Sequence, residues 1–213
     1  MTRPSCIRVV KVGGSLFDLP DLPERLLAWM ERQTPAHHVL VAGGGELVET
    51  IRKWHRQRAL DATAAHWMCV DLMTVSAHFL HDRLPQVPLV EDDRLLCQRV
   101  GEQGVTIFGP APWMRSAEPA LPGVWLPSDW VTTSDAIAGR LAVALRAHEF
   151  VLMKSVLPPR RSGWELSALA ASEFIDPILA QMAPELPTTR LVNMRSQPPA
   201  EGRVSRPGEA ASR

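Results

Sequence analysis

Two glycine turns carry the first chemical signal in this chain. Lys11-Val12-Gly13-Gly14-Ser15 follows the apolar pair Val9-Val10, and Gly43-Gly44-Gly45 follows Val39-Leu40-Val41-Ala42. Glycines carry no Cβ, so their amides can approach an anion closely, and Lys11 adds a mobile point charge. Phosphate is the ligand that such a cradle suits. Farther along, Thr132-Thr133-Ser134-Asp135 opens an apolar helical pattern, and Phe150-Val151-Leu152-Met153 delivers a second strand-end lysine, Lys154. Taken singly, each feature has a plainer explanation. A triple glycine can be only a tight turn, and an aspartate in the first turn of a helix is favoured by the macrodipole. The combination is what points to a site.

The elements that must position these residues follow from periodicity. Residues 6 to 12 read as a strand, and Asp21 as the cap of a helix to Met30 that shows Leu22, Leu26, Leu27 and Met30 on one face. Strand, glycine turn, helix and strand within about 40 residues make a βαβ unit, hence a parallel sheet. Ligands of such sheets gather beyond the carboxyl ends of the strands, where both glycine turns lie. The pattern from Glu46 to about Leu84 is helical, with a break at Leu60-Asp61 and Asp61 as the second cap. Its stretch Ala62 to Met73 is nearly apolar all round, as for a helix packed on the sheet or on another subunit. A short segment at Val87 to Val90, a helix at Asp92 to Val100 and a strand at Val105 to Phe108 come next. Gly109 to Asp129 holds five prolines and reads as a long loop over the strand ends.

Thr132 or Thr133 then caps a helix bearing Ile137, Leu141 and Leu145. A strand ends at Lys154, Asp176-Pro177 starts a helix to Met182, and Arg190 to Asn193 form a last strand. Pro198, Pro199, Gly202, Pro207 and Gly208 predict a disordered tail over residues 196–213, leaving one domain over 1–195. Five to seven strands flanked by helices give a three-layer α/β/α sandwich with a mainly parallel sheet.

Composition removes several classes of function. Twenty-three basic residues balance 23 acidic ones, without the cationic excess of a nucleic-acid groove or a membrane-binding surface. Cys6, Cys69 and Cys97 are odd in number and far apart, which suits a reducing cytoplasm rather than a disulfide framework. No apolar run approaches the roughly 20 residues of a membrane span, and no signal-peptide pattern opens the chain. His78 and His81 share a helical face, with His66 and Asp71 upstream, but no third ligand has a fixed spacing to them, so no protein-ligated metal is expected. The seven tryptophans suit packing, and Trp130 stands close enough to Asp135 to wall a site.

In this order, the Lys-Gly-Gly-Ser turn, the triple glycine, the Thr-Ser-Asp helix start and the lysine-ended strand resemble the amino-acid kinase family, which includes acetylglutamate, aspartate, carbamate and uridylate kinases. The resemblance covers most of residues 6 to 193 and is strongest at Lys11 to Ser15, Gly43 to Gly45 and Trp130 to Ala142. Within the family the chain looks most like the small kinases that phosphorylate an aminomethylfuran alcohol phosphate in methanofuran biosynthesis. The resemblance implies an ATP- and Mg²⁺-dependent kinase with a small-molecule acceptor; the apolar stretch Ala62 to Met73 adds the expectation of a homo-oligomer, and the charge balance that of neither a nucleic-acid nor a membrane partner.

It also implies roles. Lys11 touches the transferred phosphoryl group, Gly13 and Gly14 donate backbone N–H groups to the phosphates, and Ser15 and Ser155 lie beside them. Gly43, Gly44 and Gly45, with Thr133 and Ser134, approach the acceptor. Asp135 holds the lysines, and Lys154 serves the leaving-group side, so the site acts through position and electrostatics. Arg140 or His66 would hold a phosphate already on the acceptor, and Asp176, at its helix start, would lie near the nucleotide side. Two departures stand out. Many relatives follow the second lysine with Asp-Gly, whereas this chain reads Ser155-Val156-Leu157-Pro158-Pro159-Arg160-Arg161, with two N–H donors removed. No Gly-Thr follows Asn193. The same residues therefore also fit a catalytically silent binding or assembly subunit.

Overall fold

The computed structural model describes residues 6–159 and 164–206. In chain order its elements are β1 (Ile7–Val12), α1 (Leu22–Glu31), β2 (His37–Ala42), α2 (Gly45–Arg58), α3 (Ala62–Arg83), β3 (Leu89–Val90), α4 (Asp93–Arg99), β4 (Gly104–Phe108), α5 (Ala111–Ser116), α6 (Ser134–Ala144), β5 (Glu149–Lys154), β6 (Trp164–Glu165), α7 (Leu166–Ala171), α8 (Pro177–Gln181), β7 (Thr188–Asn193) and β8 (Ala200–Ser205). The strands form one sheet in the order β3-β4-β2-β1-β5-β7-β8-β6. All pairings are parallel except that of β7 with β8. The architecture is the α/β/α sandwich expected, with eight strands rather than five to seven.

Continuous apolar runs build the centre of the sheet because both of its faces are covered. Alternate residues of neighbouring strands feed two separate cores. Val9, Val39, Val41, Leu152 and Leu191 face one layer, which holds Ile137 and Leu141 of α6 and Val70 and Met73 of α3. Val10, Val12, Leu40, Met153 and Val192 face the other, with Leu26 and Trp29 of α1 and Ala77 and Leu80 of α3. The chain leaves β1 toward β2 on one side and leaves β5 toward β7 on the other, so the sheet's switch point lies between β1 and β5. Lys11, Gly13 and Lys154 belong to the carboxyl ends of those two strands, where such folds form their binding crevice.

Two expectations change. The proline-rich stretch from Gly109 to Asp129 contains α5 and a 3-10 turn at Glu118–Ala120. Pro112 and Pro119 occupy first-turn positions, where a missing N–H costs no helical bond. Residues 200–205, assigned above to a disordered tail, pair antiparallel with β7 and parallel with β6. Backbone pairing supplies that strand's order, since Val204 is its one buried side chain. Residues 207–213 of the expected tail, and Arg160 and Arg161 of the altered loop, lie outside the described residues.

Candidate active site

Asp135 is the hub of the site. Its Oδ1 lies 2.9 Å from Lys11 Nζ, and its Oδ2 accepts a hydrogen bond from Lys154 Nζ at 2.5 Å. The three residues thus come from β1, the first turn of α6 and the end of β5. Lys11 and Asp135 are buried, and the Lys154 side chain keeps 18% of its exposure. Burial alone would push the Asp135 carboxyl up, but the two lysine cations outweigh it and hold it at about 2. Burial pushes the Lys11 ammonium below the ordinary lysine range, against the opposing attraction of Asp135. Lysine is scarce in this protein: Lys11, Lys53 and Lys154 are its three, and two of them meet at one carboxylate.

Beside this cluster the two glycine turns touch each other. A Cβ on Gly14 would stand 2.2 Å from Gly45 N, and Gly45 itself has φ of +57°, so neither position accommodates a side chain without a shift of backbone. The N–H of Gly13 is bonded to the Met153 carbonyl at 3.0 Å, tying β1 to β5. In the 3-10 turn Gly14–Leu16 the first backbone bond is donated by Leu16 N to Gly13 O, and both this turn and α2 begin with no side-chain cap. Uncapped helix starts present N–H groups and a positive dipole end to an anion. Ser15 Oγ donates to Ser155 Oγ at 3.2 Å across the same gap. Arg195 donates to the Ser15 carbonyl and to Asp18, fixing the first turn from the far end of the chain.

Thr133 is the cap of α6, and Ser134 is its first residue. Trp130 lies just upstream, with its ring 5.1 Å from the Arg52 guanidinium and 5.2 Å from the His55 ring, so it braces α2 against the start of α6. Arg140 and His66 are taken by structural tasks. Arg140 is 1% exposed and donates to Glu118, Pro122 O and Leu121 O, while His66 is bonded to Asp129 O. The Arg140 guanidinium is therefore not free to hold an acceptor phosphate.

Phe174 joins the site without a sequence signal, and Asp176, placed near the nucleotide side by the family resemblance, turns instead to the first turn of α6. Asp176 is buried and accepts from Thr133 N (3.2 Å), Thr133 Oγ1 (2.7 Å) and Ala136 N (3.0 Å). Phe174 O accepts from Lys154 Nζ at 3.3 Å, and its ring centroid is 5.3 Å from the same nitrogen. The Asp-Pro dipeptide marks a helix start, and α8 does start there, but Asp176 makes no side-chain bond to it. A separate groove of about 280 Å³, lined by Trp54, Arg58, Leu60 and Met68, contains none of these residues.

The sequence matches no protein-family model and no curated protein. Solved structures do match. A UMP kinase from Ureaplasma parvum is similar at 14% identity and a TM-score of 0.62, over 94% of this chain and 99% of that one. A UMP kinase from Bacillus anthracis follows at 12% and 0.61, over 91% and 89%. A uridylate kinase from Archaeoglobus fulgidus follows at 16% and 0.58, over 85% and 88%. At these identities the likeness shows the fold, which this chain shares with those kinases over nearly their full length.

Proposed function

We propose that the protein is a phosphotransferase that moves the γ-phosphoryl group of ATP to a small acceptor. The observation that carries this reading is the single aspartate holding two lysines, 2.9 and 2.5 Å away, at the switch point of the sheet. In phosphoryl transfer, negative charge spreads over the oxygens of the moving group, and catalysis rests on cations and N–H groups already in place. Lys11 and Lys154 supply the cations. The starts of the 3-10 turn and of α2 supply the N–H groups, and Asp135 keeps the lysines from collapsing onto any other anion.

Among the described residues no cluster of three or more His, Cys, Asp or Glu side chains is arranged to hold a metal. Asp135 and Asp176 are already committed to lysines and amides. The residues present therefore fit a Mg²⁺ ion carried largely by nucleotide phosphates, as is common for that ion. When bound, it would neutralise charge on the β- and γ-phosphate oxygens.

For the acceptor we propose a phosphate monoester, giving a pyrophosphate-type product. The furan alcohol phosphate of one-carbon cofactor synthesis, implied by the sequence resemblance, and UMP, named in the similar structures, both belong to that class. A cytoplasmic homo-oligomer completes the proposal. Exposed Met68, Val75 and Phe79 on α3 support the assembly, and among the described residues no helix is long and apolar enough to cross a membrane.

A second reading, a non-catalytic subunit that binds ligands or partners, draws on Pro158 and Pro159. Pro158 O is bonded to Trp164 Nε1 at 3.2 Å, and the prolines offer no N–H to a nucleotide. Calorimetry separates the two readings. MgATP and MgADP are expected to bind the wild-type chain and to bind Lys11→Ala at least tenfold more weakly. No heat from either nucleotide at millimolar concentration would remove the kinase reading.

A further inference from the structure

We infer that Asp176 is a positioning residue: its carboxylate fixes the first turn of α6 and thereby the aspartate that holds both lysines. The inference rests on the phosphotransferase reading for its purpose, but on geometry for its content. Asp135 is the second residue of α6, and the helix's own cap is weak there, since Thr133 Oγ1 lies 3.5 Å from Asp135 N. Asp176 brackets Asp135 instead, accepting from Thr133 N on one side and from Ala136 N on the other. The Thr133 hydroxyl donates to Asp176 at 2.7 Å and accepts from Asp135 N, which makes a relay from one carboxylate to the backbone of the other.

The chain reaches this point by a turn at Glu173, where φ is +57°. Two residues before Asp176, Phe174 gives its carbonyl and its ring to Lys154. The segment from 173 to 176 therefore grips both sides of the lysine–aspartate cluster, the α6 side through Asp176 and the β5 side through Phe174. A neutral cap would satisfy the same amides without the penalty of a buried carboxylate. Burial, with Asp135 adding to it, raises the Asp176 carboxyl above the usual range. Keeping an acid at this place is costly for a helix cap alone, and consistent with a role in the charge cluster.

The test uses the scarcity of lysine. With three lysines in the chain, ¹³C-ε-lysine spectra of the full-length protein at neutral pH contain three signals, assigned by Lys11→Arg and Lys154→Arg. Asp176→Asn is expected to move the Lys11 and Lys154 signals by more than a linewidth and to leave that of Lys53, exposed on α2, in place. Thr133→Ala removes no charge, so it isolates geometry. It is expected to move the same two signals, and Thr133→Ser to restore them. The inference is overturned if Asp176→Asn leaves both signals unmoved, or if Asp176→Glu, which keeps the charge and displaces the carboxylate, leaves them where the wild type has them, because Asp176 would then act by charge alone. If Asp176→Asn fails to fold, Asp176→Glu still decides. Absence of MgATP binding to the wild type would strike the phosphotransferase reading and leave this outcome intact.

Discussion

Asp135 shows how one residue can be costly to the fold and indispensable to the site. It is buried between two cations, one of them also buried, and the attraction outweighs the desolvation that would otherwise protonate it. Removing one member of such a group leaves charge without compensation. Asp135→Asn is expected to lower unfolding stability by about 3 kcal/mol or more, measured by urea denaturation at neutral pH, and to abolish the proposed phosphoryl transfer. His38 offers a residue-scale prediction away from the site. Burial first, and then the Arg8 and His37 neighbours, hold its imidazole at about 4. Between about 4 and 6.5 the unfolded chain therefore binds more protons than the folded one, so stability rises with pH through that window and is lost on acidification. The expected loss from this group is roughly 3 kcal/mol across the window, and a His38→Gln variant should show a correspondingly flatter acid limb in denaturation curves.

At the scale of elements, the two glycine turns matter as a packed pair before they matter as a cradle. Gly14→Ala places a methyl group 2.2 Å from Gly45 N, while the nearest atom to a Cβ on Gly101 is 3.5 Å away. Gly14→Ala should cost about 1–3 kcal/mol in denaturation experiments and weaken MgATP binding, and Gly101→Ala should do neither. The turns were legible in the sequence because their signals are local: an apolar run buried on both faces, then glycine. Lys154 at the end of β5 was legible on the same grounds. Asp176 was not. Its sequence signature is that of an N-cap for the helix that follows it, and its real partners are backbone amides some 40 residues away, which no local pattern encodes. Likewise β6 is two residues long and β8 buries only Val204, so neither has the alternation that marks a half-buried strand.

For the whole molecule, β8 changes what the chain's last third is for. It covers the edge of β7, Glu201 accepts from Trp29 Nε1 at 3.1 Å, and the same carboxylate pairs with Arg190. Truncation after Arg195 should therefore lower the melting temperature and promote aggregation through the uncovered edge, seen in a thermal melt followed by light scattering. The outer face of α3 belongs to this scale as well. If α3 forms the proposed subunit contact, Phe79→Glu should shift the sedimentation coefficient toward the monomer and leave the far-ultraviolet dichroism unchanged.

Helix α3 has one further consequence, which concerns the order of events in unfolding. Val70 and Met73 near its middle belong to one apolar layer, and Ala77 and Leu80 nearer its C-terminal end belong to the other. A helix of 22 residues, about 33 Å long, thus runs from one core into its neighbour. Neither layer can open while the other holds without breaking the helix midway, so the two cores are expected to melt as one cooperative unit. Amide exchange should then show the centre of α3 protected to the level of global unfolding, whereas two independent cores would show two plateaus, with the helix split between them.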